Sequence, residues 1–278
     1  MNEIINRVFL SENVIRMVVS APDITTKRKA GQFVVLMTDE KGERIPLTIV
    51  EDDKGKGTIT IIFQIVGKTT TDLAGMKEGD SLFSVVGPLG HPTEIENFGT
   101  SVCVGGGVGI GVVYPIAAAL RETGNEVISI IGARTKDILI LEEEMKSVSD
   151  ELLVATDDGS YGYHGFVSDV LKNLIDTGKK IDRVFAVGPV PMMRVLSEVT
   201  RPFHIKTIVS LNPIMVDATG MCGACRVSVG GKTKLACVDG PEFDGHEVDF
   251  DLLMTRLRMY CDQENVAMDA SRGRCNGR

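Results

Sequence analysis

The sequence predicts three consecutive units: a small β-barrel over residues 1–98, an α/β domain with a parallel sheet over 99–211, and a loop-rich segment over 212–278. Three observations carry this prediction. Short β-branched runs separated by turn residues fill the first unit. Apolar runs of about five residues then alternate with helical patterns. After residue 212 the periodicity stops and cysteines cluster.

In the first unit, alternating or β-branched runs lie at 13–20, 32–37, 58–66 and 81–87. Gly, Asp and Lys punctuate them, as at Lys54-Gly55-Lys56-Gly57 and Glu78-Gly79-Asp80. Several short strands with regular turn signals point to a barrel. Thr69–Gly75 supplies one short helix.

In the second unit, strands are expected at 101–105, 126–131, 151–156, 183–188 and 205–210. Helices fill 110–122, 137–148, 165–175 and 190–199. Strand–helix alternation of this kind gives a parallel sheet covered on both faces. In the third unit, residues 213–240 read as loops, 246–260 have helical spacing, and SRGRCNGR at 271–278 reads as a mobile tail.

Composition narrows the function. The 278 residues carry a formal net charge of −8, no Trp, and no basic run interleaved with aromatics, which argues against a nucleic-acid surface. Charges interrupt every apolar run in residues 1–20, so no signal peptide is expected there. Residues 101–120 are uncharged and long enough to span a bilayer, but five of them are Gly, a poor helix former. A buried strand, a glycine loop and a helix account for the run better, and no membrane association is expected. Clustered Cys without an export signal point to metal binding in a reducing, cytoplasmic setting.

The glycine loop Gly105-Gly106-Gly107-Val108-Gly109-Ile110-Gly111 follows a strand and opens a helix. Glycines let the backbone approach a pyrophosphate, and a helix N-terminus favours its charge. The spacing departs from the usual dinucleotide fingerprint, and a tight structural turn is the bland alternative. Arg134 closes the second strand, Asp157-Asp158-Gly159-Ser160 the third, and Gly188-Pro189-Val190-Pro191-Met192 the fourth. Ligands of open parallel sheets sit outside the strand C-termini, so these turns jointly outline a nucleotide crevice. In the barrel, Arg44-Ile45-Pro46-Leu47-Thr48 offers a cation and a hydroxyl to a flavin. Gly67-Lys68-Thr69-Thr70 opens the short helix toward its phosphates. Taken alone, each reads first as a surface loop.

The sharpest local signal is Asp217-Ala-Thr-Gly-Met-Cys222-Gly-Ala-Cys225 with Cys237 beyond it. The spacing matches a plant-type [2Fe–2S] pattern with Asp in place of the first Cys. Zinc is the chemical rival, with His246 near in sequence. Cys261 and Cys275 are alternative fourth ligands, and Cys103 reads as a small core hydrophobe. The four histidines are dispersed, and Glu142-Glu143-Glu144 reads as a solvated helix face.

In this order the pieces resemble the ferredoxin–NADP reductase superfamily. Within it they resemble the dihydroorotate dehydrogenase electron-transfer subunit and, more closely, the small subunit of the electron-bifurcating NADH-dependent reduced ferredoxin:NADP oxidoreductase. The resemblance spans about residues 1–260. It rests on Ile45-Pro46-Leu47-Thr48, Ile62-Phe63-Gln64, Gly67-Lys68-Thr69-Thr70 and Gly105–Gly111. Gly132-Ala133-Arg134, Asp157–Gly162, Gly188-Pro189 and the Cys cluster complete the set.

The resemblance implies a barrel that binds FAD, an α/β domain that binds NAD(H), and a [2Fe–2S] segment held by Asp217, Cys222, Cys225 and Cys237. It further implies an oxidoreductase subunit with a larger flavin- and iron–sulfur-containing partner, reaching ferredoxin through the complex. FAD would then contact Arg44 to Thr48, Ile62, Phe63, Gln64, Gly67, Thr69 and Thr70. NAD(H) would contact Gly106, Gly107, Val108, Gly109, Arg134, Asp158, Gly188, Pro189 and Met192. No residue is assigned acid or base chemistry.

Two departures stand out. The superfamily's flavin motif usually has Arg two places before an aromatic residue. Here Arg44 lies one place earlier and Leu47 holds the aromatic position. Second, Asp217 replaces the Cys of the dihydroorotate dehydrogenase subunit, while the bifurcating small subunit has Asp there. The rivals are that dihydroorotate dehydrogenase subunit, a stand-alone ferredoxin reductase and a non-enzymatic zinc-binding adaptor. Arg134 and Lys136 tolerate a 2′-phosphate, so NADH over NADPH rests on the resemblance alone.

Overall fold

The computed structural model describes the backbone of residues 2–275 and the side chains of residues 2–269. The first sheet is built from β1 (Asn2–Ser11), β2 (Val14–Ser20), β3 (Phe33–Met37), β4 (Ile45–Asp53) and β5 (Thr58–Gln64). It is completed by β6 (Ser81–Leu82) and β7 (Ser84–Leu89). The strand order is β6-β1-β2-β5-β4-β3-β7, and every pairing is antiparallel. Only Phe83 separates the two edge strands in sequence, so the sheet curls into a nearly closed barrel and hides most of its edges. Ile4, Ile15, Met17, Leu36, Ile49, Ile61 and Phe63 fill its interior. Helices α1 (Pro22–Thr25) and α2 (Lys68–Gly75) lie in its connections.

Two barrel strands escaped the sequence pattern. In β1 only Ile4 is buried, and its pairing with β2 is irregular in two places, so strict alternation is lost. In β4, Pro46 and the acidic run at 51–53 mask a strand that pairs with both β3 and β5. The run expected as one strand over 81–87 is split between the two edge strands.

The second sheet comprises β8 (Thr100–Gly106), β9 (Glu126–Ala133), β10 (Glu151–Thr156), β11 (Tyr163–His164), β12 (Arg183–Val187), β13 (Lys206–Ser210) and a later strand, Glu242–Asp244. Its order is β11-β10-β9-β8-β12-β13, then Glu242–Asp244, which alone runs antiparallel. Successive side chains point to opposite faces, and in the central strand β8 both faces are buried. Val102 and Val104 of β8 pack with α5 (Val167–Asp176) and α6 (Val190–Thr200). Cys103 between them packs with α3 (Gly109–Glu122) and α4 (Glu142–Ser147). The uncharged run 101–120 is thus a buried strand, a loop and a helix. Among the described residues no helix is long and apolar enough to cross a membrane.

The helix expected over 137–148 is interrupted. Ile140 and Leu141 are buried against α3, and Leu141 takes a left-handed backbone (φ 56°) to place them there. A short 3₁₀ turn at Lys136–Ile138 and the brief α4 are what remain.

The C-terminal segment contributes β14 (Arg226–Val229), β15 (Lys232–Leu235), α7 (Ala236–Asp239), β16 (Glu242–Asp244), α8 (Phe250–Leu257) and α9 (Cys261–Cys275). A two-stranded hairpin therefore lies inside the stretch expected as loops. The Asp249 carboxylate caps α8 by accepting from the Leu252 N–H at 2.9 Å. Cys225, Val227, Cys237, Phe243 and Leu253 share one core with the α5/α6 face of the sheet. Helix α9 runs to Cys275, so part of the expected tail is helical. Its remainder at 276–278, and Cys275 as a candidate ligand, lie outside the described residues.

Glu242 on β16 faces the barrel. The Thr93 hydroxyl donates to its carboxylate at 2.6 Å. A side chain at Gly31 would collide with both groups. Burial pushes the Glu242 carboxyl from its ordinary 4.5 up to about 7. The fold therefore favours the protonated form. That contribution is full below pH 4.5 and is lost as pH rises through about 7. The shift sets its size at about 3 to 4 kcal/mol at most. Glu242→Gln is expected to flatten the fall in melting temperature between pH 5 and pH 8 relative to the parent chain, read by calorimetry at each pH. An unchanged pH profile would assign the dependence to other groups.

Candidate functional site

The sheet order reverses between β8 and β12, whose residues pair in parallel from Ser101↔Arg183 to Gly105↔Val187. Helices α3 and α6 begin just beyond the C-terminal ends of these neighbouring strands. Neither N-terminus has a side-chain cap. Two helix dipoles and their first N–H groups thus bracket one crevice, an arrangement suited to a pyrophosphate. The glycine spacing is explained by close approach. A Cβ on Gly109 would lie 2.4 Å from the Val187 carbonyl oxygen and 2.8 Å from its carbon. The Gly107 N–H donates to the Gly132 carbonyl at 2.9 Å and locks the loop to β9. Met192 folds back so that its sulfur lies against the backbone of Gly106 and Gly188.

The other crevice turns join through hydrogen bonds. The Asp158 N–H donates to the Arg134 carbonyl at 3.2 Å. The Lys136 N–H donates to the Ser160 hydroxyl at 2.9 Å. The Ser160 hydroxyl and N–H hold the Asp158 carboxyl below its ordinary range. Arg134 is exposed at the mouth. The Lys136 ammonium sits 4.8 Å over the Tyr161 ring, and the Tyr161 hydroxyl donates to Glu142 at 2.7 Å. The sequence reading missed this group. Glu142 is half-buried and partnered by Tyr161, whereas the acidic run suggested only a solvated face.

A second hollow of about 890 Å³ lies on the barrel. Arg44, Ile45, Gly67, Thr69 and Thr70 line it, and Tyr260 with α9 form its far wall. The N–H groups of Val66 and Gly67 both donate to the Thr70 hydroxyl at 3.0 Å, which shapes the entry to α2. The Thr69 hydroxyl donates to Glu43 at 2.6 Å. Pro46, Leu47, Thr48, Ile62, Phe63 and Gln64 do not line this hollow. Leu47 and Phe63 pack into the barrel interior, and Ile62 packs against α3 at Gly111. Thr48 pairs with Phe33 across β3 and β4.

The third constellation is the cysteine loop. The sulfurs of Cys225 and Cys237 approach to 3.2 Å, and both residues are buried. Burial first, then the Cys225 thiol, push the Cys237 thiol up to about 11. The Gly220 N–H directed at its sulfur opposes that rise. Gly220 has a left-handed backbone (φ 82°), a conformation glycine adopts freely, and this turn aims that N–H inward. Arg226 donates to the Gly223 carbonyl at 2.8 Å and Arg256 to the Ala224 carbonyl at 3.0 Å, tying down the loop's outer carbonyls.

Cys222 is exposed, beside a hollow of about 190 Å³ that Arg226 and Arg256 also line. Asp217 instead pairs with Arg44 at 3.2 Å. Among the described residues no three ligating side chains converge. The structure therefore joins two of the four expected ligands and leaves the other two on the same loop. Sulfur donors, an inward N–H and small residues between them suit an iron–sulfur cluster. The His246 ring is engaged elsewhere, 2.9 Å from the Thr200 hydroxyl, so the zinc alternative loses its histidine. Cys103 is fully buried in the sheet and its thiol is pushed up by that burial, as a core residue.

Residues 212–249 match the family described as the iron–sulfur cluster binding domain of dihydroorotate dehydrogenase B. A Thermotoga maritima protein named as a homolog of the dihydroorotate dehydrogenase B (NAD(+)) electron transfer subunit is 50% identical over 269 residues. The alignment covers 97% of this chain and 95% of that one. The electron transfer subunit of dihydroorotate dehydrogenase B from Bacillus cereus is 33% identical over 256 residues, covering 88% and 96%. A solved structure of the flavin-based electron-bifurcating NADH-dependent reduced ferredoxin-NADP oxidoreductase superposes with a TM-score of 0.93 at 49% identity, covering 97% of both chains. The ferredoxin reductase of carbazole 1,9a-dioxygenase shares the fold alone, with a TM-score of 0.62 at 21% identity over 73% of this chain and 65% of that one.

Proposed function

The chain belongs to the family of dihydroorotate dehydrogenase B electron-transfer subunits and their homologues, and from that membership we propose that it is the small subunit of an NADH-dependent, electron-bifurcating ferredoxin:NADP oxidoreductase. One observation carries the finer choice. Likeness to the bifurcating enzyme's structure extends over 97% of both chains at 49% identity, against 33% for the Bacillus dihydroorotate dehydrogenase subunit. The second reading is the dihydroorotate dehydrogenase subunit itself, favoured by the family match at 212–249.

In this reading, Gly106, Gly107, Val108 and Gly109 hold the pyrophosphate of NAD(H) at the α3 N-terminus. Gly188, Pro189 and Met192 close the crevice from the α6 side, and Arg134 and Asp158 stand at the adenosine end. Gly67, Thr69 and Thr70 offer the α2 N-terminus to the phosphates of FAD. Ile45, which lines the same hollow, flanks the flavin. Asp217, Cys222, Cys225 and Cys237 hold the [2Fe–2S] cluster. When bound, FAD exchanges a hydride with nicotinamide and passes electrons singly to a cluster that carries one at a time. The chain's own part is to align the groups, exclude water and tune charge. No side-chain acid or base is required for hydride transfer. A larger flavin- and iron–sulfur-containing partner receives the electrons, ferredoxin reacts through that complex, and the assembly works in the cytoplasm.

Anaerobic co-purification with the product of the neighbouring gene tests the reading. FAD, iron and ferredoxin-dependent reduction of NADP+ by NADH are expected. Dihydroorotate oxidation by the same complex would favour the second reading. A colourless, iron-free complex would contradict both.

A further inference from the structure

Arg44 and Asp217 lie 173 residues apart, yet the Arg44 Nη1 donates to Asp217 Oδ1 at 3.2 Å. Arg44 precedes β4 on the barrel. Asp217 lies on the cysteine loop, five residues before Cys222. Its other oxygen, Oδ2, accepts from the Thr219 hydroxyl of its own loop. Among the described residues Arg44 is the one cation within ion-pair distance of Asp217. The neighbouring Glu43 reaches the opposite way, to Thr69 at the start of α2. Two adjacent residues thus strap the flavin hollow to the cluster loop. This contact also accounts for the displaced arginine in the flavin motif, because the guanidinium is turned to a carboxylate rather than left free for a phosphate.

Resting on the reading of Asp217 as an iron ligand, we propose that Arg44 is a positioning residue for the cluster. It fixes the Asp217 carboxylate through Oδ1, leaves the second lone pair of Oδ2, beside its Thr219 hydrogen bond, to the metal, and keeps a permanent positive charge beside the oxygen ligand. Groups that hydrogen-bond a metal's ligands set ligand orientation and metal potential. A bare surface ion pair would contribute little. A cation at that position stabilises the reduced, more negative cluster, so its removal lowers the midpoint potential. A lysine keeps the charge but lacks the planar fork.

The experiment compares Arg44→Gln, Arg44→Lys and Asp217→Ala in the complete complex, by iron and FAD content, EPR line shape and cluster midpoint potential. Arg44→Gln is expected to retain FAD, shift the EPR signal and lower the midpoint. Arg44→Lys is expected to restore most of the midpoint. A parental signal and midpoint in Arg44→Gln, with both altered in Asp217→Ala, would overturn the role of Arg44 and leave Asp217 as a ligand. Loss of FAD from Arg44→Gln with an unchanged cluster would overturn it in favour of flavin binding. An unaltered signal in Asp217→Ala would remove the ligand reading and the proposal with it.

Discussion

Replacing Cys237 by Ser is expected to empty the cluster site while leaving the flavin in place. Cys237 is buried with its sulfur 3.2 Å from that of Cys225, and the Gly220 N–H is directed at it. Iron binds the thiolate. A serine hydroxyl of similar size does not ionise near neutral pH and is a harder, weaker donor for such a cluster. The N–H aimed at the sulfur and the buried loop around it have no substitute ligand. Iron per chain should fall to near zero, and the cluster EPR signal should vanish. FAD content should hold, because Cys237 does not line the barrel hollow and the Gly67–Thr70 turn that would take the phosphates lies outside the cluster segment. Because metal binding also contributes folding free energy, segment 212–249 should become more protease-sensitive. Cys103→Ser is the matched control. That residue lies on β8, buried against α3, and its replacement should leave iron content unchanged. Retention of a full cluster in Cys237→Ser would remove Cys237 from the ligand set.

Gly109→Val is expected to weaken nicotinamide binding selectively. A Cβ there meets the Val187 carbonyl oxygen at 2.4 Å and the Gly188 Cα at 2.9 Å. Both are backbone atoms of the adjacent strand end, so neither can rotate away. The helix must lift from β12, and the crevice between two helix N-termini opens. Overpacking of this kind costs about 1–3 kcal/mol. If that strain falls on the bound state, NADH affinity drops by about 5- to 150-fold. Titration calorimetry with NAD(H) measures it, while FAD and iron content should match the parent. Gly75→Ala provides the contrast, since nothing lies within 4 Å of the position a Cβ would take there. Unaltered NADH affinity in Gly109→Val would place the nucleotide elsewhere.

The parallel sheet was legible in the sequence because its central strands β8, β9 and β12 are buried on both faces and read as nearly unbroken apolar runs. Strands predicted at 126–131 and 151–156 are observed at Glu126–Ala133 and Glu151–Thr156. The turns expected to form the crevice do gather at the strand C-termini, because strand order in a doubly wound sheet dictates it. The barrel was legible in outline only. β1 buries a single side chain and β4 carries Pro46 and three acids, so local pattern gave way to pairing with neighbours.

Contacts across units were not legible. Nothing in the spacing of Arg44 or Asp217 announces that they meet, and nothing in Glu242 announces that it folds against Thr93 and Gly31. Each is a product of how the barrel and the C-terminal segment pack on the sheet. The Tyr161–Glu142 bond was hidden for a related reason. Helix α4 is displaced by the burial of Ile140 and Leu141, and that displacement carries Glu142 to the crevice.

The proposed function requires a route for electrons from nicotinamide through flavin to the cluster within this one chain. The direct measurement is an anaerobic NADH titration of the flavin- and iron-replete protein, followed by visible absorbance and EPR. NADH is expected to bleach the flavin, and a [2Fe–2S] EPR signal is expected to grow with it. Gly109→Val should require far more NADH for both changes, and Cys237→Ser should bleach without an EPR signal. Replete protein whose flavin and cluster both ignore NADH, while dithionite reduces them, would contradict it.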